Sequence, residues 1–503
     1  MSYNLFLQDD AQVMNHEGAR VYSMSPELEL YSLVCTMALQ PKFYESPADQ
    51  VERLSRLVAK VSPEFVARLA IYARREMHLR SVPLLLAVEL VRVHSGDSLV
   101  SRTIGQVVMR ADEIAELLMC YQWRNPQEGR KKLGRLSHQV QTGLAVAFNK
   151  FDEYQFAKYD RDGRAVKLRD ALFLVHPKPK DDAQQAVFNK IATGTLAVPY
   201  TWETELSAVG QLHYESSEAR QQAFASKWQE LVDSGKLGYM ALLRNLRNLL
   251  NCGLDESTLQ DVAERIGNPR EVVRAKQLPF RYLAAYKELR GVDQPSTPMM
   301  LNALEQAIEA SAARIAGFDR STRVLLACDM SGSMQYPLTR NSSICNYEVG
   351  IVLAMMLQGK ASQVVTGIFA DEWKVINLPQ GNILASSDEI ARHVGEVGYG
   401  TEGEKPLLWL IGQRMAMDKV MLFTDCEFWD IDGGFRHLWQ QYKQIAPLAH
   451  LYIFDLAGYG HSPINMPRPD VTLISGWSDR IFDMLDALEH GSDVVSEISK
   501  IEL

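Results

Sequence analysis

The chain has 503 residues, 47% of them hydrophobic and 23% charged, with a formal net charge of −9. That length suits two or three domains, the composition is that of a globular protein, and no apolar run is long enough to cross a bilayer. The N-terminus Met1-Ser2-Tyr3-Asn4-Leu5-Phe6 has no basic region followed by an apolar core, which argues against a signal peptide. The six cysteines form no CxxC pair, which argues for reduced thiols in the cytoplasm and against a zinc site.

Residues 25–315 read as nearly all helix. Ser46-Pro47, Ser62-Pro63 and Ser81-Val82-Pro83 each look like an N-cap serine followed by an early-turn proline. The segments they open, to about Lys60, Met77 and His94, carry apolar residues at three- and four-residue spacing, as in Leu54, Leu57, Val58 and Val61 or Phe65, Leu69 and Tyr72. Helices of this length joined by short turns pack antiparallel, and repeated pairs suggest an α-solenoid, although no fixed period stands out. Later helices are expected at Ser137–Phe148, Tyr239–Leu250, Ser257–Ile266 and Pro279–Leu289, with Gly253 and Gly267 as C-terminal caps.

The charge is unevenly spread. Residues 1–320 hold 40 Lys and Arg against 39 Asp and Glu, whereas residues 321–503 hold 13 against 23. Within the first part, residues 51–180 hold 23 basic against 14 acidic, a net of +9. A basic stretch inside an acidic protein suggests a polyanion-binding surface, and the competing reading is a solvated face of mixed charge. The candidates there are Lys131, Lys132, Arg135, Lys158, Arg161, Arg164, Lys167, Arg169, His176, Lys178 and Lys180. Tyr159 or His176 could stack on bases, while Tyr121, Trp123, Tyr154 and Phe156 read as core aromatics. His176 reads equally well as a capping or core histidine.

Near Gly317 the pattern changes to apolar strands alternating with amphipathic helices. Strands are expected at Arg323–Cys328, Val364–Phe369, Trp373–Asn377, Lys419–Thr424, His450–Asp455 and Val471–Ile474. Helices are expected at Tyr347–Gln358, Ser387–Val394, Lys405–Met415, Gly434–Gln444 and Ser478–Leu488. Such alternation means a doubly wound, mostly parallel sheet whose ligands sit at the carboxyl ends of the strands. Cys328 and Cys426 fall in the core strands as small buried hydrophobes.

One such strand end carries Asp329-Met330-Ser331-Gly332-Ser333, which places a carboxylate and two hydroxyls on one loop. These are hard oxygen ligands that suit Mg²⁺, with Mn²⁺ as the alternative. Thr401, in Gly398-Tyr399-Gly400-Thr401, and Asp425, after the strand Val420–Thr424, complete five candidate metal oxygens. Competing motifs fail. Gly398, Gly400 and Gly403 spell GxGxxG but follow a helix, and Glu404 between Gly403 and Lys405 breaks a P-loop. Ser331 stands where a haloacid-dehalogenase-type phosphotransferase needs a second carboxylate.

The Asp-x-Ser-x-Ser loop resembles the metal-ion-dependent adhesion site of von Willebrand factor A domains. That resemblance implies that the three loops converge, that the two serines and the threonine touch the ion, and that the aspartates act through water or behind those ligands. Three helical motifs resemble the TROVE-domain proteins of the Ro autoantigen family. They are the segment from Lys158-Tyr159 through Leu168-Arg169-Asp170 to His176-Pro177-Lys178-Pro179, the run Ala241-Leu242-Leu243-Arg244-Asn245-Leu246, and Pro279-Phe280 leading into Tyr282–Tyr286. The match at Asn15–Ala19 is loose and shortened. The spacing from Lys158 to His176 is slightly longer than the family's, so Arg161 and Arg164 compete for one role.

The resemblance covers nearly the whole chain. It implies a HEAT-like helical-repeat TROVE domain over residues 1–316, closed into a monomeric ring, and a von Willebrand factor A domain over residues 317–503. It implies a cytoplasmic, non-enzymatic RNA-binding protein of the bacterial Ro type. Small non-coding Y-like RNA would bind the outer basic surface, and single-stranded ends of misfolded RNA would enter the ring. A 3′ exoribonuclease such as polynucleotide phosphorylase is the implied protein partner in RNA maturation and decay. Two rivals stay open: a protein-interaction scaffold whose metal grips an acidic partner without RNA, and a metal-dependent phosphoryl-transfer or hydrolytic enzyme.

Overall fold

The structure, a computed structural model, describes residues 12–126, 135–160, 165–313, 315, 321–379, 381–429, 434–482 and 493–503. Lys131, Lys132, Arg161, Arg164 and Gly317 lie outside the described residues. The chain divides into two compact units. One comprises Val51–Lys227 with Ser496–Leu503, and the other comprises Met1–Gln50 with Trp228–Val495.

The first unit is helical. Pro63–Arg75, Ser81–Val93, Leu99–Val107, Ala111–Arg124 and His138–Phe148 pack on one another in overlapping pairs. Their shared core includes Leu69, Leu85, Ile104, Leu117 and Leu144, none of which is exposed. Two of the three expected caps form: the Ser62 hydroxyl accepts from Phe65 N at 3.2 Å and the Ser46 hydroxyl from Asp49 N at 3.2 Å; Ser137, expected as the first helical residue, instead caps its helix by accepting from Val140 N at 3.3 Å. Ser81 departs from expectation. It is already helical and donates its hydroxyl to the Glu116 carboxylate, because that carboxylate from a neighbouring helix competes with the local N–H groups. Trp123 and Tyr154 are also corrected: they are 55% and 46% exposed, whereas Phe156 is fully buried as expected.

Glu113 is a polar anchor of this unit. Its buried carboxylate accepts from Met109 N at 2.8 Å, Arg110 N at 3.0 Å and Arg74 Nη2 at 2.7 Å. Together these hold the start of the helix Ala111–Arg124 against Pro63–Arg75.

The second unit is built on two sheets. β1 (Gln12–Met14) and β2 (Arg20–Ser23) form a hairpin. The larger sheet contains β3 (Arg323–Asp329), β4 (Gln363–Phe369), β5 (Trp373–Val375), β6 (Lys419–Thr424) and β7 (His450–Asp455). After β8 (His461–Ser462), which pairs with β2, the sheet closes with β9 (Val471–Ser475). Its order is β5-β4-β3-β6-β7-β9, parallel except for the antiparallel edge strand β5. The apolar strands Val324–Cys328 and Val420–Phe423 are buried, as a sheet covered on both faces requires.

Helices Pro279–Arg290 and Thr297–Ala312 pack on the sheet helices Asn346–Gln358 and Ile383–Ala391. Lys287 pairs with Glu348 at 2.5 Å, and Arg290 pairs with Asp388. The helix expected from Ser387 starts earlier, at Ile383. The Glu305 carboxylate accepts from Leu384 N at 3.0 Å and Ala385 N at 2.7 Å, a cap supplied from far along the chain. Gly253, at φ +82°, follows its helix as expected, but Gly267 is the last residue of a helix rather than its cap. A Cβ there would stand 2.6 Å from Gln306 Oε1, the far end of a side chain that can move aside. Within the span where a helix is expected, Ser478–Leu488, Asp479–Phe482 form a short 3₁₀ turn, and the rest of the span, from residue 483, lies outside the described residues. No helix among the described residues is long and apolar enough to cross a membrane.

Replacing Glu113 by alanine leaves the Arg74 guanidinium, itself only 11% exposed, without its buried carboxylate. Breaking such a pair from one side costs about 3 kcal/mol. Urea unfolding of Glu113→Ala should show that loss in the transition of the helical unit; a change below about 0.5 kcal/mol, the range of an ordinary surface substitution, contradicts this anchoring role.

Candidate metal centre and nucleic-acid interface

β3 has β4 on one side and β6 on the other, so the chain reverses its direction of winding beside it. At such a point the loops leaving neighbouring strands diverge and open a crevice. Asp329 ends β3, Ser331 and Ser333 follow it, and Asp425 follows β6. Thr401 lies in the connection to the helix Lys405–Gly412. All five side chains are buried.

The three loops are tied pairwise. The Thr424 hydroxyl donates to Asp329 Oδ2 at 2.6 Å, Gly332 N donates to Tyr399 O at 2.8 Å, and Trp429 N donates to Thr401 O at 2.9 Å. Ser331 N donates to Asp329 Oδ1 at 2.9 Å, and the Ser331 and Ser333 hydroxyl oxygens stand 3.4 Å apart. The structure therefore brings together the loops that carry the five metal candidates.

Their electrostatics fit a cation. Burial pushes the Asp329 carboxyl up to about 6, against the hydrogen bonds from Thr424 and Ser331. Burial, Asp329 and Glu427 together push Asp425 well above the usual carboxylate range. Asp425 Oδ1 accepts from Glu427 N at 3.1 Å, but its buried Oδ2 has no hydrogen-bond partner. An ion would satisfy that oxygen and offset the crowding of negative charge. Among the described residues no group of three His, Cys, Asp or Glu is arranged to hold a metal, so an ion here would depend on the hydroxyls.

The glycine run 398–403 is explained by packing. Asp371, beyond the end of β4, accepts from Tyr399 N and Gly400 N, both at 3.0 Å. A Cβ at Gly398 or Gly400 would enter the Asp371 carboxylate, and one at Gly403 would enter the Phe428 ring. These glycines let the loop wrap tightly around Asp371 and so fix Thr401. Cys426 is buried as expected, but it lies beyond β6 and adopts a left-handed φ of +66°.

The basic candidates that are described all lie in the helical unit. Lys158, on the helix Glu153–Tyr159, stands 6.0 Å from the Tyr154 ring and 5.7 Å from the Tyr159 ring. Arg110 covers the same Tyr159 ring at 4.7 Å. Lys167 lines a shallow pocket with Tyr159 and Asp160. On the next helix, Leu168–Val175, exposed Arg169 lies over the ring of Phe173, which is 50% exposed. Exposed His176 ends that helix in the left-handed conformation, so it is a capping residue rather than a core one. Lys178 and Lys180 are exposed on a loop pinned by Asn149, whose amide donates to Lys178 O at 2.8 Å and accepts from Lys180 N at 2.9 Å. Arg135 is exposed just before the helix His138–Phe148. Both candidate-bearing helices pack on Ala111–Arg124, which places Lys158 and Arg169 beside one common helix.

Residues 44–197 and 192–318 match the model of the TROVE domain. The chain belongs to the TROVE-domain family. Residues 323–477 match the Ro60 vWA domain. This TROVE-domain chain is 25% identical over 465 residues to the RNA-binding protein RO60 of Deinococcus radiodurans, covering 84% of each. It is also 25% identical over 337 residues to the telomerase protein component 1 of Mus musculus, covering 52% of this chain but only 13% of that protein. The crystal structure of the Deinococcus radiodurans RO (RSR) protein has the same fold, with a TM-score of 0.58 at 21% identity over 92% of this chain and 99% of that one.

Sequence reasoning on this TROVE-domain chain missed Arg110, Asp371 and Glu427. Arg110 precedes the basic candidates in sequence and meets Lys158 only at the Tyr159 ring. Asp371 could have been found by asking which carboxylates follow strand ends, because β4 adjoins β3.

Gly403→Ala should destabilise the sheet-containing unit by about 1–3 kcal/mol, as overpacking a close contact does. Gly412→Ala, where a Cβ meets nothing within 4 Å, is the control. Equal melting temperatures for the two variants would show that the close approach to Phe428 does not constrain the loop.

Proposed function

We propose that this chain binds RNA without catalysing a reaction, and that its metal loops recruit a protein partner. The observation that carries the RNA reading is the interleaving of cations and exposed rings on one helical unit: Lys158 beside exposed Tyr154, and Arg169 over exposed Phe173, with Arg110 joining Lys158 at the half-buried Tyr159 ring. Cations neutralise phosphates, while ring faces accept unpaired bases. The Deinococcus relative, an RNA-binding protein, supports the same reading. The RNA class we assign is a structured small RNA of the Y type on the basic helices, with single-stranded ends of misfolded RNA as a second ligand. The role is RNA quality control, processing or decay in the cytoplasm.

For the metal loops we propose Mg²⁺. Ser331, Ser333 and Thr401 would hold the ion, with Asp329 and Asp425 behind them or bridged by water. An ion bound mainly by hydroxyls keeps most of its charge, so it attracts a carboxylate from outside. A 3′ exoribonuclease presenting such a carboxylate would make the chain an adaptor between RNA and nuclease.

Neutralising Lys158, Arg161 and Arg164 together should reduce the slope of log affinity against log salt for a structured small RNA by about 2–3 and weaken binding at least about tenfold. Filter binding across a salt series reads both quantities. Parallel salt plots for parent and variant would remove this segment from the interface.

Mg²⁺ at 100 times its dissociation constant should stabilise the chain by about 2.7 kcal/mol, read as a rise in melting temperature that chelation reverses. Ser331→Ala should abolish that rise while leaving the metal-free melting temperature near that of the parent. A parent chain that melts identically with Mg²⁺ and with chelator contradicts the metal reading.

A further inference from the structure

The hairpin at the start of the described chain has no part in the five-oxygen metal pattern, yet its turn reaches the third metal loop. Asn15 shapes the turn: its Oδ1 accepts from Ala19 N at 2.8 Å, and Gly18 adopts φ +83°. Asn15 Nδ2 then donates to Phe428 O at 2.7 Å, and His16 N donates to Glu427 Oε2 at 2.9 Å. The His16 Nδ1 nitrogen stands 2.8 Å from Glu427 Oε1, and His461 Nε2 stands 3.0 Å from the same oxygen. Trp429 Nε1 donates to Glu17 Oε2 at 3.0 Å. Residues 15, 16 and 17 thus grip residues 428, 427 and 429.

The gripped segment needs holding. Cys426, between Asp425 and Glu427, is a non-glycine residue in left-handed backbone. Such conformations persist only where the surroundings over-determine them. Glu427 is a fully buried carboxylate, and the His16 N–H, the His16 ring and the nearby His461 ring offset the cost of that burial. The His16 ring is itself fixed, stacked on Tyr44 at 4.7 Å and 9° and edge-on to Tyr459 at 5.1 Å. Pairing of β2 with β8, Ser23 opposite His461, brings the second histidine to the same carboxylate. From this segment the contact continues to the second loop through Trp429 N and Thr401 O.

We propose that residues 15–17 are a structural part of the metal centre, with His16 and Glu427 as positioning residues that set the Asp425 loop and, through Trp429, Thr401. This rests on the Mg²⁺ reading above for its consequence, and on geometry alone for the positioning itself. The N-terminal hairpin acts as a fourth loop of the site, contributing no oxygen to the ion but fixing the residues that do.

The test uses the full chain. Amide exchange at residues 425–429 is measured without metal, and Mg²⁺ affinity is measured by calorimetry, for the parent, His16→Ala, His16→Gln and Glu427→Gln. His16→Ala should accelerate exchange across 425–429 and weaken Mg²⁺ binding about 10- to 100-fold, the usual cost of losing a partner behind a metal ligand. His16→Gln, which keeps a side-chain donor for Glu427, should recover most of both losses. Met14→Ala, an exposed change on the same hairpin, should do neither. Should Glu427→Gln fail to fold, the His16 pair decides. Unchanged exchange in His16→Ala overturns the proposal. If the parent binds no Mg²⁺, the metal reading falls, and accelerated exchange in His16→Ala still supports the positioning role.

Discussion

The second unit depends on keeping two carboxylates, Asp329 and Asp425, out of water at the ends of adjacent parallel strands. The sheet topology imposes this: β3 and β6 are neighbours, Asp329 is the last residue of β3, and Asp425 directly follows β6. A buried carboxylate is costly unless hydrogen-bonded or paired with a cation. Asp329 is supplied with two donors, Thr424 and Ser331 N, while Asp425 keeps one oxygen unpartnered. The imbalance leaves a buried carboxylate oxygen at the loop cluster that a cation would satisfy.

The neighbouring features read as consequences of that constraint. Asp371 is used up by backbone N–H groups of the second loop, so it adds rigidity instead of another unpaired charge at the crevice. Glu427, two residues beyond Asp425, is held ionised at about 2; burial opposes this, but His16 and His461 outweigh it. Four acidic residues crowd the loop ends, and two of them are already compensated by the protein. Of the four, Asp329 and Asp425 are the two that burial holds above the usual carboxylate range.

Much of this was legible in the sequence, and the limits have physical causes. Strand alternation and the Asp-x-Ser-x-Ser loop identify the parallel sheet and its crevice, because a fully buried strand shows as an unbroken apolar run. Caps at Ser46 and Ser62 are local and were readable; Ser81 was not, because its partner is Glu116 on another helix. The same reason hid the early start at Ile383, which is capped by Glu305. Trp123 and Tyr154 were misplaced because aromatic content alone does not separate core from exposed ring. The grip of residues 15–17 on 427–429 joins positions some 411–413 apart in sequence, and no local pattern announces such a pairing.

Charge divides the work between the two kinds of surface. Residues 51–180 carry a net +9, and long phosphate chains gain from many weak contacts with such a stretch. Residues 321–503 carry 13 basic against 23 acidic side chains, so a polyanion near them meets repulsion with every added phosphate. The ion proposed for the crevice would offer one strong contact in that acidic setting. A single carboxylate on a protein could use that contact without bringing a train of further negative charges, whereas an RNA could not. On the proposed reading, the same arithmetic would direct RNA to the basic helices and a protein ligand to the metal loops, and would tie the choice of partner to the presence of the ion.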